Sequence, residues 1–282
     1  MKVYPFTIPK QPNDNIVVQV DKGQRFYNRL HQHNEIQLSY ILSGSGRLIL
    51  GNHVSTYSPN DLIGIGAGLP HIFQSEASEE KSEMISIFFL KDCFGPGFFS
   101  LKEMAVLQSC FEELTQGIKL TSDPHTRQLF QSISSLSKFD TFLSLLEILR
   151  RFTSRERIVF NKRGVIPKLS PNQGERLQEV MDFTLTNFDQ PITLQQAAEK
   201  VHMGRNSFCR FFKQRTNKTY FQFLSEVRIQ HASRLLVEEH DMSISEIALQ
   251  AGYQSISNFN RQFREIHKLS PKAYRIATLT KF

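Results

Sequence analysis

The chain of 282 residues has little cysteine and no long apolar run. Its three cysteines, Cys93, Cys110 and Cys209, are scattered, and an odd number without metal-ligand spacing gives no disulfide framework and no cysteine-based metal site. No stretch of 18 consecutive apolar residues is present, and residues 1–15 contain no apolar run of signal-peptide length. We therefore expect a protein of the cytoplasm that has no membrane partner.

The first half of the chain carries no net positive charge. Residues 1–149 carry a net charge of −3, residues 150–173 carry +6 and residues 174–282 carry +4. This distribution indicates a C-terminal part that binds a polyanion, although a solvated basic linker would give part of the same excess. The length is sufficient for two domains, each with its own core.

The C-terminal part contains one pattern twice. The first copy reads Ala197-Ala198-x-x-Val201 and then Phe208-x-Arg210-x-Phe212, and the second reads Ile247-Ala248-x-x-Ala251 and then Phe259-x-Arg261-x-Phe263. Small residues at helical spacing, a turn and an aromatic stripe predict a helix-turn-helix in each copy. Between the copies, 220–236 predicts a helix of roughly 25 Å that would hold the two second helices apart. Two such helices could enter successive major grooves of DNA.

This pattern resembles the DNA-binding domain of the AraC/XylS family of transcription regulators over about the last 110 residues. The family signature reads Ser245-x-Ile247-Ala248-x-x-x-Gly252-Tyr253, then Phe259-x-Arg261-x-Phe263-Arg264, then Leu269-Ser270-Pro271-x-x-Tyr274-Arg275. The resemblance implies a sequence-specific regulator that binds double-stranded DNA, forms a homodimer and works with RNA polymerase. Since most members of the family activate transcription, we expect an activator.

The resemblance also implies which side chains face DNA. On the first recognition helix these are Arg205, Asn206, Cys209 and Arg210, with Lys213 nearer the DNA backbone. On the second they are Ser255, Ser257, Asn258, Asn260 and Arg261, with Ile256 beside them, and Lys272 and Arg275 would contact phosphates. Tyr274 would contact a phosphate or pack on the second motif. Arginine can pair with guanine and asparagine with adenine. Because the first face is more charged, we expect the first copy to dominate base discrimination and the second to supply phosphate contacts and spacing.

Residues 16–90 predict short strands in a sandwich or small barrel, because alternating segments are separated by regular turns. This part resembles the cupin barrel that often serves as the sensor of AraC-type regulators. His31-x-His33, position 37 and Gly44 have the spacing of the first cupin motif, and Gly68-x-x-His71 that of the second. Metal-binding cupins are expected to have a glutamate where this chain has Gln37, and Ser75 stands where the second motif often has asparagine.

Three roles for the histidines stay open. They could line a polar effector pocket, whose candidate residues are His31, His33, Glu35, Gln37, Arg47 and His71, together with Tyr40. The three imidazoles could instead bind a divalent metal, with Glu35 replacing the missing carboxylate. They could also be packing residues at strand ends. We expect a small polar effector, such as a sugar or a carboxylate, and no resident metal or cofactor.

The expected fold is α+β with several domains. We assign 1–95 to the cupin-like barrel, 96–153 to helices that form the dimer interface, 154–172 to a basic linker and 173–282 to an all-α domain with two helix-turn-helix motifs. Apolar stripes at helical spacing between 101 and 152 predict those helices. The alternatives are a cupin-type metalloenzyme with a DNA-binding tail and a DNA-modifying protein. Gln37 weakens the first, and the settings of Cys93 and Cys110 weaken the second, so we expect no enzyme.

Overall fold

The structure is a computed structural model that describes residues 8–9, 14–75, 81–153, 157–160 and 171–279. The chain divides into two compact units, Met1–Gly174 and Glu175–Phe282. The first unit is rich in β-structure and the second is helical, so the expected α+β class is confirmed. Among the described residues, no helix is long and apolar enough to cross a membrane.

Within its described residues, the first unit has two antiparallel sheets. The strands are β1 (Ile16–Gly23), β2 (Ile36–Ser43), β3 (Gly46–Leu50), β4 (His53–Tyr57), β5 (Asp61–Ile65), β6 (His71–Ser75), β7 (Ser82–Phe89), β8 (Ile118–Thr121) and β9 (Ile158–Val159). The larger sheet has the order β1-β7-β2-β5-β8-β9, and the smaller sheet has the order β4-β3-β6.

Side chains of β2 alternate between two cores. Ile36, Leu38 and Tyr40 belong to the outer core, the cluster in which the larger sheet packs against helices. Ile41 belongs to the inner core, where it meets residues of both sheets, among them Leu48. Because successive side chains of a strand point to opposite faces, Gln37 and Ser39 share the inner face with Ile41. The polar residues predicted on this strand are therefore inside, between the two sheets.

Three helices cover the outer face of the larger sheet: α1 (Gln108–Leu114), α2 (Pro124–Ser132) and α3 (Lys138–Arg151). Leu114, Phe130 and Leu145 are buried in the outer core. The N-terminus of α3 is capped by the hydroxyl of Ser137, which accepts a hydrogen bond from the backbone NH of Asp140. The exposed face of α3 carries Phe139, which is 68% exposed.

The expectation of helix throughout 101–151 is wrong in two places. Leu101 is half-exposed and precedes a 3₁₀ helix, Lys102–Leu107, so the first predicted stripe is not one α-helix. Ile118–Thr121 forms β8, which extends the larger sheet beside β5. A four-residue strand that alternates Ile118 and Leu120 leaves too short a pattern to be separated from the helical stripes around it.

The predicted linker, 154–172, also contains structure that its composition does not indicate. Residues 158–159 form β9, which pairs with β8, and the Phe160 NH donates to the carbonyl oxygen of Gly117. The guanidinium of Arg157 donates to both carboxylate oxygens of Glu113, at 2.6 and 3.0 Å. Residues 154–156 and 161–170 of the predicted linker lie outside the described residues.

The second unit contains α4 (Pro171–Asn187) from Glu175 onward and all of α5 (Leu194–Glu199), α6 (Arg205–Thr216), α7 (Tyr220–Glu238), α8 (Ile244–Gln250), α9 (Ile256–His267) and α10 (Pro271–Leu279). The two predicted helix-turn-helix motifs are α5–α6 and α8–α9. The predicted rod between them is α7, two residues longer than expected. A capping box, in which the first residue's hydroxyl and the fourth residue's side chain each bond the other's backbone, begins α5, α7 and α8.

The two motifs differ in the turn, as the offset in the sequence predicts. The α5 and α8 helices begin 50 residues apart, at Leu194 and Ile244, whereas α6 and α9 begin 51 residues apart, at Arg205 and Ile256. The backbone NH groups of Met203 and Tyr253 donate to the carbonyl oxygens of Ala198 and Ala248 at the same spacing, so the extra residue of the second copy follows Tyr253. Gly252 in the second turn has φ +80, and a Cβ there would lie 2.5 Å from the carbonyl oxygen of Phe188. Only glycine tolerates both the positive φ and this close approach.

Candidate DNA-binding surface and histidine cluster

Three buried histidines meet inside the first unit. His31 and His71 form a β-bridge with two backbone hydrogen bonds of 3.1 and 2.9 Å, and their ring centroids are 4.1 Å apart. The His33 ring lies 5.1 Å from that of His71 and 6.1 Å from that of His31. One nitrogen from each ring lies within 4.8 Å of the others. The sequence expectation that these residues come together is confirmed by the geometry.

Each imidazole is oriented by a backbone carbonyl group. The Nδ1 atoms of His31, His33 and His71 lie 2.8, 2.9 and 2.9 Å from the carbonyl oxygens of Arg29, Glu35 and Leu69. Since a carbonyl oxygen can only accept, Nδ1 carries the proton in neutral His31 and His71, and their Nε2 atoms carry a lone pair. His33 faces an acceptor oxygen at both nitrogens, that of Glu35 at Nδ1 and that of the Gln37 side chain at Nε2, so either nitrogen can carry its single proton. Nε2 of His71 is buried and has no hydrogen-bond partner within the described part of the chain.

Gln37 continues the cluster into a polar row on the inner face. Its side-chain oxygen lies 3.0 Å from Nε2 of His33, and its amide nitrogen donates to Oγ of Ser39 at 2.8 Å. Oγ of Ser39 in turn lies 2.8 Å from Oγ of Ser86, on β7. Sequence reasoning missed the two serines. The signal was available for Ser86, the one polar residue within the apolar run 84–89 of β7 and at an inward position of that strand.

Burial keeps the histidines neutral. Desolvation lowers the pKa of His31 to about 4, and the nearby His33 lowers it further. The pKa of His71 lies well below its ordinary value because the ring is fully buried and faces two other imidazoles. Desolvation also lowers the pKa of His33, against the opposing effect of its hydrogen bond with Gln37. Neutral imidazoles have accessible lone pairs for a ligand.

The donor set suits a divalent metal ion, with one obstacle. Nitrogens bound to one metal at about 2.1 Å lie at most roughly 4.2 Å apart, slightly closer than the 4.8 Å limit found here. Carbonyl groups on Nδ1 orient the rings as they do in metal sites. Nε2 of His33, however, already contacts Gln37. A metal would therefore have to displace that amide group.

The other predicted pocket residues lie differently. Glu35 stays beside the cluster, because its carboxylate is 3.9 Å from Nδ1 of His33. Arg47 does not join it: on β3 it faces away from the inner-core residues Leu48 and Leu50, as strand alternation requires. Tyr40 is also elsewhere, since its ring stacks on Phe130 in the outer core and its hydroxyl donates to Asn60. Including Arg47 and Tyr40 in the pocket was therefore wrong.

All the predicted DNA-facing residues of α6 are exposed. Phe208 and Phe212 are buried beneath the helix, which fixes the opposite face toward solvent. The exposed side chains are Arg205, Asn206, Cys209, Arg210 and Lys213. The helix contains no acidic residue, so this face is wholly basic or neutral.

The α9 helix presents an equivalent face with more internal bonding. Phe259 and Phe263 are buried, whereas Ser255, Ser257 and Arg261 are exposed and Asn258 and Asn260 are half-buried. The hydroxyl of Ser255 caps the helix by accepting from the Asn258 NH at 3.4 Å. The oxygen of the Asn258 side chain accepts from Arg261 at 2.9 Å and from Gln262 at 3.1 Å. Sequence reasoning did not identify Gln262.

The α10 helix contributes less to this surface than predicted. Lys272 is exposed. Arg275 is half-buried, and its guanidinium donates to the carbonyl oxygen of Met242 at 2.7 Å, which ties α10 to the loop before α8. The Tyr274 ring packs against Phe263 and His267, with centroids 5.4 and 4.6 Å away. Of the two roles open to Tyr274, packing on the second motif is the one observed.

The cysteines of the first unit are poor nucleophiles. Burial raises the pKa of Cys110 to about 12 and that of Cys93 to about 11. Both thiols are therefore protonated near neutral pH, whereas alkyl transfer to cysteine requires a thiolate. Cys209 is exposed on α6.

Two families of known domains match the chain. Residues 197–277 match a helix-turn-helix domain, which covers the first motif from the middle of α5 onward, the helix between the motifs and the whole second motif. Residues 16–88 match a cupin domain, which covers β1 to β7 apart from the final residue of β7.

Curated relatives are named as regulators of transcription. The uncharacterized HTH-type transcriptional regulator YdeC of Bacillus subtilis (strain 168) is 22% identical over 88% of this chain and 86% of its own length. The melibiose operon regulatory protein of Escherichia coli (strain K12) is 32% identical over 45% of this chain and 43% of its own. The lactose operon transcription activator of Staphylococcus xylosus is 28% identical over 42% of this chain and 44% of its own. The last two matches thus span less than half of those proteins.

Proposed function

We propose that the chain, with its helix-turn-helix and cupin domains, acts as a regulator of the AraC/XylS family that activates transcription at specific DNA sites under the control of a small polar effector. The observation that carries this proposal is the pair of equivalent twelve-residue helices, α6 and α9. Each buries two phenylalanines and exposes a face of arginine, asparagine and serine. Those residue types can read base edges in the major groove.

The proposed DNA contacts are the exposed residues of the two helices. In the first copy they are Arg205, Asn206, Cys209, Arg210 and Lys213, and in the second Ser255, Ser257, Asn258, Asn260 and Arg261. Lys272 is placed to meet a phosphate, because it is exposed in the first turn of α10. Arg275 is a weaker candidate, since its guanidinium already holds Met242.

The proposed effector site is the histidine cluster with Gln37 and Glu35. Nε2 of His71 is a buried lone pair without a hydrogen-bond partner in the described ranges, and burying such a group costs about 1–3 kcal/mol. A ligand that donates a hydrogen bond to this atom recovers that cost. A sugar hydroxyl satisfies the requirement, and so does a carboxylic acid in its protonated form. Within this proposal the barrel binds its ligand and catalyses no reaction.

The proposed assembly is a homodimer formed through α3. Phe139 and Leu143 lie one turn apart on this helix and are 68% and 47% exposed. A symmetric dimer would bury the same apolar face of both copies. Promoter DNA and RNA polymerase are the remaining proposed partners, and the cytoplasm is where both are found. The activator role follows the usual behaviour of the family and that of one relative, the lactose operon transcription activator.

The proposal is tested by selecting DNA from a random library with the full-length protein and titrating salt on the best site. We expect two half-sites about one helical turn apart, and an affinity that falls steeply with salt as phosphate contacts are lost. Binding that depends on salt but not on sequence would contradict the proposal. Repeating the titration with candidate sugars and carboxylic acids tests effector control.

A divalent metal ion is a second candidate for the effector, favoured by the convergence of three imidazoles oriented through Nδ1. Melting the full chain with and without Zn²⁺ tests it, since a ligand that binds only the folded state raises the melting temperature. We expect Gln37→Glu, which removes the competing amide group and supplies a carboxylate, to bind Zn²⁺ more tightly. His71→Gln should abolish the response. No shift in any of these proteins would exclude the metal as effector.

A further inference from the structure

Arg210 and Arg261 occupy equivalent positions in the two motifs but have different surroundings. Both are exposed and lie two residues after the first buried phenylalanine of their helix. Nη2 of Arg261 donates to Oδ1 of Asn258 at 2.9 Å. The residues at the positions of Asn258 and Gln262 in the first copy are Ser207 and Phe211, which cannot form the same arrangement. Within the described residues, a side-chain amide fixes the arginine of the second motif but not that of the first.

The direction of every hydrogen bond in this arrangement is determined by Arg261. A guanidinium group can only donate, so the Asn258 atom at 2.9 Å must be its oxygen. That oxygen also receives the Gln262 amide at 3.1 Å, so the Gln262 atom must be its nitrogen. The oxygen of Gln262 therefore points the other way, where it accepts from the hydroxyls of Tyr253, at 2.7 Å, and of Ser225.

This chain of bonds begins in the protein core. Tyr253 is 4% exposed and lies beneath α9, and Ser225 is on α7. The guanidinium carbon of Arg228, also on α7, lies 5.5 Å from the centre of the Tyr253 ring, and its nitrogens donate to the carbonyl oxygens of Phe188 and Gln190 at 2.7 and 2.9 Å. Asn258 is thus linked through Gln262 to Tyr253 and α7, and Arg228 of α7 is in turn bonded to the segment that follows α4.

These bonds limit which hydrogen bonds the side-chain amide of Asn258 can form with DNA. Asparagine reads adenine by accepting from N6 while donating to N7, which requires both ends of the amide. Here the oxygen already accepts two hydrogen bonds. The NH₂ group has no partner within the described residues, so the end of Asn258 that remains for DNA is a donor. Arg261 beside it is also a donor.

We propose that Asn258 and Arg261 form one donor-only reading unit, positioned by Gln262, that selects guanine or another acceptor edge and does not select adenine. This proposal rests on the proposed function, since it assumes sequence-specific binding. It also reverses the expectation that the second copy serves mainly for spacing: the second copy holds the preorganised reading pair, whereas Arg210 of the first copy is not fixed in this way.

The test compares sequences that the full-length protein selects from a random DNA library with those selected by two variants and by a matched control for each. Asn258→Asp keeps the acceptor for Arg261 and Gln262 but removes the NH₂ donor, and Ser207→Asp adds the same charge at the equivalent place in the first copy. Gln262→Leu removes the positioning bonds at similar size, and Phe211→Leu is its matched control. Melting temperature and the salt dependence of binding are measured for each protein.

We expect the wild-type protein to select guanine at the base positions that Asn258 and Arg261 contact. Gln262→Leu should reduce discrimination against adenine there by about fivefold or more, given that a bidentate pair discriminates by roughly 5- to 150-fold. In Gln262→Leu, base selection at the other half-site and the salt dependence of binding should stay as in the wild type. The Phe211→Leu protein should keep the discrimination against adenine. Asn258→Asp should lose selectivity at one base while the guanine read by Arg261 remains, and Ser207→Asp should leave both bases unchanged.

Two outcomes overturn the proposal while the proposed function stands. One is an adenine preference in the wild-type protein that disappears in Asn258→Asp. The other is a Gln262→Leu protein whose discrimination at this half-site equals that of the wild type. Failure of the wild-type protein to select any sequence overturns the proposed function and the reading unit together, so the two failures are distinguishable.

Discussion

His31 and His71 bond to each other through their backbones while their rings lie 4.1 Å apart in a buried polar cluster. The pKa of His31 is lowered to about 4 by burial, and that of His71 lies well below its ordinary value for the same reason. In the unfolded chain both rings titrate near pH 6.5. Below that pH the unfolded state binds protons that the folded state does not, so acid favours unfolding.

The first prediction is a loss of stability between pH 6.5 and about 4. The contribution of neutral histidine is complete above pH 6.5, and each unit below it costs up to about 1.4 kcal/mol for His31 alone. Urea unfolding of the full chain at pH 7, 6 and 5 measures this loss. The His31→Gln/His71→Gln protein should show a shallower pH dependence, whereas replacing the exposed His125 by glutamine should not. Equal slopes in all three proteins would contradict the prediction.

The second prediction concerns the glycine in the turn of the second motif. We expect Gly252→Ala to lower the free energy of unfolding by about 2 kcal/mol or more, because φ is +80 and the new Cβ would meet Phe188 at 2.5 Å. Gly204, the N-cap of α6 with φ −70 and nothing within 4 Å of a Cβ, is a control glycine in the turn of the first motif, where His202 with φ 53 holds the position equivalent to Gly252. The Gly204→Ala protein should lose only about 0.5 kcal/mol. Similar losses in chemical denaturation would refute this account of the turn.

The third prediction concerns the ends of the recognition helices. Both end at a non-glycine residue in the left-handed region, Asn217 with φ 53 and Lys268 with φ 60. Lysine bears the steric cost of this conformation, which the exposed hydrogen bond from Nζ of Lys268 to the carbonyl oxygen of Glu265 offsets only in part, whereas asparagine tolerates the conformation well. We expect Lys268→Gly to raise the free energy of unfolding by about 0.5–1 kcal/mol and Asn217→Gly to raise it less. Chemical denaturation measures both, and a larger gain at Asn217 would be inconsistent with the explanation.

The fourth prediction concerns the proposed dimer. Placing a carboxylate in the apolar face of α3, with Phe139→Glu or Leu143→Glu, should shift the protein to monomer in sedimentation equilibrium because the charge would be desolvated in the interface. Val20, which is 46% exposed on β1, offers a control at which glutamate should leave the assembly unchanged. A dimer that persists in both α3 variants would place the interface elsewhere.

The sequence predicted the second unit more completely than the first. The repeat, the offset of one residue in its turn and the helix between the copies depend on local spacing, and the helices of the structure follow it closely. β8 and β9 escaped detection because two- and four-residue strands depend on partners far along the chain, as in the pairing of Ile118 with Gly64 and Val159. The predicted domain boundaries stay a prediction.

Side-chain roles were predictable only where the backbone pattern determines them. Because residues two apart on a strand share a face, assuming a strand predicted that His31 and His33 would meet. They do meet, but His31 lies in an isolated β-bridge and His33 precedes β2, so the strand itself was not there. Arg47 was misplaced because its strand had been identified but the face of that strand had not. The role of Gln262 could not be read from the sequence, since its partners Tyr253 and Ser225 are brought to it by tertiary packing.

The capping boxes that begin α5, α7 and α8 have a consequence for the order in which the chain folds. Each consists of residues three apart, so these helix starts can form before any distant contact exists. The larger sheet of the first unit depends instead on distant contacts. Ile16 pairs with Phe89, and these strands can pair only after the chain between them has closed into a loop. Since local contacts form faster than distant ones, we expect the segment synthesised last to reach its native structure sooner than the barrel.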